Sequence, residues 1–379
     1  MPKIRTTHTG SLPRPAPLAE LLLAHELGEN SPTLPATAAA AVLDVVRRQA
    51  ECGLDLVNDG EQAKAGYSTY IRHRLTGFDG EPRQTRFYPD RDHFPDFDAL
   101  VARLDSSAPR RPPNPTCSGP ITLKDPTAVR HDIAELKAAA AAAGIAEERL
   151  FMTAASPGVI ALFLANDYYP SREAYLAALV DAMRDEYRAI VEAGLILQLD
   201  CPDFAMARHT VTSAPLPIED FRRYLAQSVE AVNAAVTGLD PSRMRLHLCW
   251  SNTESPHIYD VELREILDLV LTAAPAGLVL EACNPRHGHE WQLFEEVTLP
   301  DDKYLVAGVI DTTTNFVEHP ELVAQRIRNY SRLIGPERVL AGTDCGFGTF
   351  AGRDRVATGV AWEKLASLVR GAEIASATP

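Results

Sequence analysis

The sequence predicts an α/β fold, a single (β/α)8 TIM barrel that spans residues 1–379 with a long excursion after its second strand. Three observations lead to this prediction. Short apolar segments alternate with helical stretches, eight of the segments are strand-like, and a helical segment follows the last of them. Such alternation is typical of a parallel sheet, and an open doubly wound sheet usually has fewer strands.

The predicted strands are short runs rich in apolar and β-branched residues, bounded by polar or glycine residues. In chain order they are 3–11, 54–60, 150–156, 195–200, 245–250, 277–283, 304–311 and 338–346. The clearest helices predicted between them are 35–53, 171–194 and 319–335. The first and last of these end at glycine, which is common at a helix C-terminus because it adopts the left-handed conformation without strain.

The connection 61–149 is too long for an ordinary link between a strand and a helix. It is rich in proline and charge over 80–115, and it predicts an extra hairpin that includes 115–123 and a helix over 126–144. We interpret it as an excursion at the rim of the barrel rather than as a second domain.

The composition disfavours several classes of partner. The 51 acidic residues outnumber the 37 basic ones, and the net charge of -14 repels nucleic acid and anionic lipid. No apolar run approaches the roughly 20 residues that span a bilayer, and the N-terminal segment lacks the apolar core of a secretory signal. The sequence therefore predicts a cytoplasmic protein without nucleic-acid or membrane partners. Its six cysteines form no disulfide framework and remain thiols unless a metal or a reaction uses them.

Polar residues with metal-binding side chains follow several predicted strands. His247 and Cys249 are two residues apart on one strand, so their side chains point to the same face and can share an ion. Glu281 and Cys345 stand at the ends of two other strands, and the working residues of a TIM barrel lie at these ends. Imidazole, thiolate and carboxylate are the ligands of zinc. The pattern predicts a zinc site.

Two alternatives accompany this prediction. Cys283 lies on the same face of its strand as Glu281 and is a rival fourth ligand. The zinc could also be purely structural, in a barrel that acts as a binding protein. A site rich in thiolates favours activation of a thiol for alkyl transfer, because water activation for hydrolysis usually relies on histidine-rich zinc sites.

The motifs resemble those of the catalytic barrel of cobalamin-independent methionine synthase. The similarity runs from TTHTGSLPRP (6–15) to TDCGFGTF (343–350) and includes the His-x-Cys pair, the glutamate in LVLEAC and the cysteine in TDCG. The resemblance implies a zinc-dependent transfer of a methyl group to the sulfur of homocysteine. It also implies that Gly10 and Ser11 contact the substrate carboxylate, and that Glu61 and Asp200 hold its amine.

The sequence departs from the family in two places. It lacks the N-terminal half with which folate-dependent members bind their cofactor, so we expect a different methyl donor, for example a methylated corrinoid protein. Where those members have an Asp-x-His-Ser run, this sequence has Asp311-Thr312-Thr313-Thr314. The aspartate, which we expect to be catalytic, is retained, but the histidine that acts as the proton donor is not.

A second interpretation resembles epoxyalkane:coenzyme M transferase, which opens an epoxide with a zinc-bound thiolate. A sulfonate-bearing thiol needs a cation near its pocket, for which Arg14, Lys64 and Arg286 are candidates. Glu61 and Asp200 favour homocysteine instead, because two buried carboxylates require a cationic partner. A third interpretation, a barrel decarboxylase of the uroporphyrinogen type, needs no metal.

Overall fold

A computed structural model of the chain describes residues 2–83, 87–104 and 113–377. Its centre is a parallel sheet of seven strands, in the order β1-β7-β6-β5-β4-β3-β2. The strands are β1 (Arg5–Thr6), β2 (Phe151–Ala155), β3 (Ile196–Asp200), β4 (Met244–Leu248), β5 (Gly277–Glu281), β6 (Tyr304–Ile310) and β7 (Val339–Thr343). Side chains from five of them meet in one apolar cluster on the concave side, so the sheet curves into a half-barrel.

The sheet corrects the predicted number of strands from eight to seven. The predicted strand 54–60 forms only an isolated parallel bridge, between Val57 and Leu150. Side chains take the place of some of its ladder partners: Asp55 accepts from the Thr6 amide at 2.9 Å, and the Asn58 amide donates to the Gln49 side chain at 3.0 Å. The remaining seven predicted strands are present, and all but β3 end before their predicted last residue.

Thirteen α-helices are present in the described ranges. They are α1 (Ala16–Glu26), α2 (Leu34–Cys52), α3 (Ile71–Arg74), α4 (Pro89–His93), α5 (Pro95–Leu104), α6 (Ala128–Ala142), α7 (Pro157–Phe163), α8 (Arg172–Glu192), α9 (Ala207–Thr210), α10 (Ile218–Ala235), α11 (Leu267–Val270), α12 (Pro320–Ile334) and α13 (Thr358–Ala377). None of these helices is both long and apolar enough to cross a membrane.

The helix ends follow local sequence chemistry. Ser171 accepts a hydrogen bond from the Ala174 amide and caps α8, and His319 caps α12 in the same way through the Glu321 amide. Gly53 ends α2 in the left-handed conformation, with φ of 85°, as its position in the sequence predicted.

The connection 61–149 carries α3, α4, α5 and α6. Its segment 116–123 pairs antiparallel with 75–80, through bridges from Leu75 to Leu123 and from Gly80 to Thr116. Residues 84–86 and 105–112 of this connection lie outside the described residues.

Candidate active site

A cavity of about 500 Å³ opens at the carboxyl ends of the strands. Most of the side chains predicted from the sequence to form the site line it: Ser11, Glu61, Asp200, His247, Cys249 and Cys345. Gly10, Glu281 and Asp311 are not among the lining residues. A cavity of this size exceeds the volume of one small amino acid, so it has room for a second reactant.

Two strands bring an imidazole and two thiols together at the floor of the cavity. His247 lies in β4 and Cys249 follows its last residue, so the two side chains face the same way. Cys345 follows β7, and its sulfur lies 4.0 Å from the sulfur of Cys249. One nitrogen of His247 and the two sulfurs all lie within 4.8 Å of one another.

The polar atoms of this cluster are buried and incompletely bonded. Among the described residues, neither ring nitrogen of His247 has a hydrogen-bond partner of normal geometry, although the side chain is only 4% exposed. Burial lowers the pKa of His247 to about 3, against a weaker opposing effect of the Val279 backbone. Contact with the Cys345 thiol, burial and the charge of Glu281 raise the pKa of Cys249 well above its usual value. The imidazole is therefore neutral, which is the form that binds metal.

Glu281 lies next to the cluster rather than inside it. Its carboxylate accepts from the Trp250 amide at 2.9 Å and from the Asn284 side chain at 3.3 Å, and it lies close enough to the Cys249 thiol for the two groups to shift each other's pKa. Cys283 points elsewhere, because its thiol donates to Asp344 at 3.0 Å. Of these two candidates for a fourth ligand, only Glu281 contacts a member of the cluster.

Glu61 and Asp200 form a second polar group in the cavity. Thr153 donates to one oxygen of Glu61 at 2.8 Å, while the other oxygen is buried without a partner in the described structure. Gln198 donates to Asp200 at 3.1 Å and is itself held by Arg245 at 2.8 Å. Side chains of the sheet, Thr153 of β2 and Gln198 of β3, therefore hold the two carboxylates in position.

Glu61 and Asp200 also destabilise each other's ionised form. Burial is the main cause that raises the pKa of Glu61, and the charges of Lys64 and Arg14 offset it only in part. Burial, followed by the charge of Glu61, raises the pKa of Asp200 well above its usual value. Two buried carboxylates that destabilise each other are stabilised when a cation enters between them.

The Gly10-Ser11 turn connects the acidic group with the cysteine loop. Gly10 has φ of 143°, and a Cβ placed on it would lie 2.8 Å from a carboxylate oxygen of Glu61. The Ser11 carbonyl accepts from the Phe347 amide at 2.8 Å, two residues beyond Cys345. Only glycine permits this backbone to approach Glu61 so closely.

Asp311 is occupied by its own loop. Its two oxygens accept from the amides of Thr313 and Thr314, at 3.1 and 2.8 Å, and from the hydroxyls of the same residues. Although burial opposes the shift, these hydrogen bonds lower the pKa of Asp311. It is Thr312, not Asp311, that lines the cavity. The catalytic role expected for Asp311 stays a prediction.

The three cations suggested for a sulfonate lie away from the cavity lining. Arg14 donates to the backbone carbonyls of Glu61 and Gly348. Lys64 donates to the Thr153 carbonyl at 2.7 Å, and Arg286 is exposed. Two other arginines, Arg353 and Arg355, line the outer end of the cavity.

Sequence reasoning missed Asn252, which joins three loops over the cluster. Its side-chain nitrogen donates to the Gly346 carbonyl at 2.8 Å and to Thr349 at 2.9 Å, and its oxygen accepts from Thr312 at 2.9 Å. The only sequence signal was its position three residues after Cys249, which is too weak to distinguish it from other loop residues.

The donor set fits a zinc ion. An unpartnered, neutral imidazole beside two thiols supplies three ligands of the types that zinc prefers, and a carboxylate lies one contact away. Burying an imidazole with both nitrogens unbonded is unfavourable, and a bound cation removes that penalty at one of them.

The fold and the site together define a class of protein: an α/β enzyme with thiol and imidazole groups at the carboxyl edge of a parallel sheet. The sequence pattern of the family described as "Cobalamin-independent synthase, Catalytic domain" matches residues 162–360, which is more than half of the chain. The chain therefore belongs to the family of cobalamin-independent methionine synthase catalytic domains, as its motifs predicted.

Individual relatives agree with this assignment. A methionine synthase of Saccharolobus islandicus is 27% identical over 380 residues, which cover 99% of this chain and 95% of the relative. The structure of a B12-independent methionine synthase from Shewanella sp. W3-18-1 in complex with selenomethionine superimposes with a TM-score of 0.74 at 20% identity, over 99% and 98% of the two chains. A putative vitamin-B12 independent methionine synthase from Listeria monocytogenes gives a TM-score of 0.66 at 17% identity, over 98% of each chain. These two structures share the fold of this chain.

Proposed function

We propose that the protein is a zinc-dependent methyltransferase that transfers a methyl group to the sulfur of homocysteine. The observation that carries the proposal is the unpartnered imidazole of His247 beside two thiols, in the same cavity as the buried carboxylates of Glu61 and Asp200, one oxygen of which has no partner in the described structure. Membership of the methionine synthase family supports the same activity.

The proposed metal ligands are His247, Cys249 and Cys345, with Glu281 as the fourth. Zinc bound there would lower the pKa of an incoming thiol so that it reacts as a thiolate. The neutral imidazole requires no deprotonation to bind, whereas each cysteine must give up its proton. Glu281 already accepts hydrogen bonds from Trp250 and Asn284, so its carboxylate is oriented before any metal arrives.

The proposed substrate pocket matches an amino acid that carries a thiol. Glu61 and Asp200 hold the substrate ammonium group, whose charge completes the partial compensation that Lys64 and Arg14 give to the pair. The backbone at Gly10 and Ser11 binds its carboxylate. Fixing the ammonium and carboxylate groups orients the substrate so that its sulfur reaches the cysteines. The methyl transfer then takes place between two bound reactants, which lowers its entropic cost.

The methyl donor enters through the outer part of the cavity. Asn252 and Thr312 line the cavity, and the loop that carries Thr312 has Thr313 where the family resemblance places the histidine proton donor of folate-dependent members. We propose a donor whose leaving group needs no acid from this loop, as with a methylated corrinoid protein. The leaving group then departs without proton transfer from the chain.

Two other functions receive less support from the geometry. Coenzyme M would present a sulfonate to Glu61 and Asp200, and like charges would repel it. A purely structural zinc is usually enclosed by protein ligands, whereas His247, Cys249 and Cys345 all line an open cavity.

We also propose that residues 54–57 take the place of an eighth strand and close the sheet into a single barrel. The connection 61–149 is then an excursion at the rim of that barrel. The Leu56 amide donates to the Thr6 carbonyl in β1. Val57 donates to the Arg149 carbonyl and accepts from the Phe151 amide at the start of β2, which supports closure between the two edge strands. Amide exchange at Leu56 and Val57 as slow as at Phe151 is the expected result. Fast exchange at both amides would contradict closure.

Cobalt substitution tests the proposed activity. Cobalt bound by thiolates gives a visible spectrum, and adding homocysteine should change it because the substrate sulfur joins the coordination sphere. The Cys345→Ala variant is the control and should lose the spectrum. Zinc-loaded protein should then form methionine from homocysteine and a methylated corrinoid, detected by mass spectrometry. A cobalt spectrum that responds to coenzyme M but not to homocysteine would refute the proposed acceptor.

A further inference from the structure

A second cluster of buried titratable groups lies behind the proposed metal site, in the loops after β4 and β5. His287 lies between two carboxylates, with Nδ1 2.9 Å from Glu290 and Nε2 2.9 Å from Asp260. His257 lies between Asp260, 2.8 Å from its Nδ1, and the Thr253 carbonyl, 3.0 Å from its Nε2. We call His257, Asp260, His287 and Glu290 the histidine–carboxylate chain.

The hydrogen bonds fix the protonation of both imidazoles. Each ring nitrogen of His257 and His287 faces a carbonyl or a carboxylate oxygen, and a carbonyl or an ionised carboxylate can only accept. This arrangement favours a proton on both nitrogens of each ring. Although burial opposes the shift, Asp260 raises the pKa of His257 to about 9, and Asp260 with Glu290 raises that of His287 to about 10. Two imidazolium ions and two carboxylates balance, so the chain is a neutral unit in the interior.

The chain contacts the proposed site through Trp250. The His287 ring stacks on the Trp250 indole, with centroids 3.9 Å apart and planes 23° apart. Trp250 follows Cys249 directly, and its amide donates to Glu281 at 2.9 Å. Its indole nitrogen donates to the Val261 carbonyl at 2.7 Å, which ties it to the loop that carries the chain.

The other end of the chain holds the cavity wall. His257 donates to the carbonyl of Thr253, which lines the cavity. The backbone amides of His257 and Ile258 donate to Asp90 of α4, at 3.1 and 3.2 Å. Glu290 accepts from the Leu263 amide at 2.6 Å, so each end of the chain is anchored to backbone.

We propose that His257, Asp260, His287 and Glu290 are positioning residues that hold Trp250 and Thr253, and through them fix Cys249 and Glu281 for metal binding. The inference rests on the proposed function, since it concerns the same metal site. An apolar side chain in place of His287 would pack against Trp250 equally well. Only the hydrogen bonds through Asp260 link the ring that stacks on Trp250 to the ring that bonds Thr253, so that both are held together. Residues that orient metal ligands in this way typically change metal affinity by roughly 10–100-fold when they are replaced.

The test compares substitutions in the histidine–carboxylate chain with a control substitution at another buried histidine. His287→Gln and Asp260→Asn interrupt the hydrogen bonds, and His287→Phe retains a ring against Trp250 but no charge. His209→Gln is the control, because Nδ1 of His209 lies 3.5 Å from Asp260 and makes no hydrogen bond in the described structure. Zinc affinity is measured by competition with a chromogenic chelator, and coordination is measured by the visible spectrum of the cobalt-loaded protein.

We expect zinc binding to weaken by roughly 10–100-fold in the three chain variants, with altered cobalt absorption, and by less than about 2-fold in His209→Gln. The unfolding midpoint of each metal-free variant separates positioning from general destabilisation. Unchanged zinc affinity and cobalt spectrum in the folded variants would overturn the proposal, and so would failure of all three to fold, since the chain would then serve the fold itself.

The wild-type protein separates this inference from the proposed function. A wild-type cobalt spectrum without thiolate charge-transfer absorption contradicts the metal site itself. A wild-type spectrum with that absorption, matched by every chain variant, contradicts only the positioning role.

Discussion

His247 and His287 are both buried histidines that lie near the end of β4, yet their environments are opposite. His247 has no hydrogen-bond partner of normal geometry among the described residues, and burial lowers its pKa to about 3. His287 has a carboxylate at each nitrogen, and despite burial its pKa is raised to about 10. One ring is a neutral group that lacks a partner, and the other is a cation whose partners are all in place.

The difference shows how a ligand site can be told from a structural polar cluster. A buried polar atom without a partner is unfavourable unless something outside the chain binds it. The same contrast holds for carboxylates: one oxygen of Glu61 is unpartnered, whereas both oxygens of Asp311 accept from neighbouring threonines. Incomplete bonding at atoms that face a cavity therefore supports the proposal that His247 and Glu61 bind ligands.

The largest expected effect is a loss of zinc affinity when a cysteine of the His247, Cys249 and Cys345 cluster is replaced. Cys249→Ala or Cys345→Ala removes a proposed ligand and should lower zinc affinity by more than about 100-fold, because changes to residues that only orient ligands already cost 10–100-fold. Cys283→Ala is the matched control and should retain zinc, since its thiol is bonded to Asp344. Metal content after dialysis measures the effect. Full zinc content in both of the first two variants would refute the site.

The next effect concerns the acidic pair. Glu61→Gln or Asp200→Asn should weaken homocysteine binding by about 1.5–3 kcal/mol, the value of a hydrogen bond to a charged group. Calorimetry with 4-mercaptobutanoate, which lacks the amine, provides the comparison. The variants should bind this analogue no worse than the wild type does, because the analogue has no ammonium group for Glu61 and Asp200 to bind. Equal losses for both thiols would contradict a role in amine recognition.

The histidine–carboxylate chain predicts a pH dependence of stability. The folded pKa values of His257 and His287, about 9 and 10, lie above the ordinary value of 6.5. Their contribution is fully present below about pH 6.5 and is lost as the pH rises through 9 and 10. Each tenfold difference in proton affinity between the folded and unfolded states corresponds to roughly 1.4 kcal/mol of unfolding free energy. Urea unfolding with a chelator present, at pH 6, 8 and 10, measures the loss.

The comparison that isolates this effect is between variants. His287→Gln should narrow the difference in unfolding free energy between pH 6 and pH 10 relative to the wild type. His209→Gln should not narrow it, because burial lowers the pKa of His209 in the folded protein. The same pH dependence in all three proteins would show that the chain is not its cause.

Most of the strands could be predicted from the sequence because each is a short apolar run between polar residues. β2 to β7 begin and end close to the predicted bounds for this reason. The segment 54–60 is not a strand of the described sheet, because the side chains of Asp55 and Gln49 take some of the hydrogen bonds that a full ladder would make between backbones. Such substitutions depend on the folded geometry and leave no periodic pattern in the sequence.

The site shows the same limit. His247, Cys249 and Cys345 could be predicted to meet because parallel strands end at one edge of the sheet, and the structure brings them together. The histidine–carboxylate chain could not be predicted, because His257 and His287 stand on separate loops without a recognisable spacing. Asp311 matched a family motif, but the sequence alone could not show that two threonines bond its carboxylate.

The smallest expected effect is at Asp311, where the comparison of complete and incomplete bonding gives a definite expectation. Asp311→Asn keeps one oxygen for the threonine amides and should cost about 1 kcal/mol of unfolding free energy, with a modest change in kcat. A loss of kcat of about 100-fold or more at unchanged stability would instead support the catalytic role that the motif implies, since general acid–base groups contribute effects of that size. Thr312→Val is the matched control, because Thr312 lines the cavity and bonds Asn252. If the loop acts only through Thr312, its replacement should lower kcat more than replacement of Asp311 does.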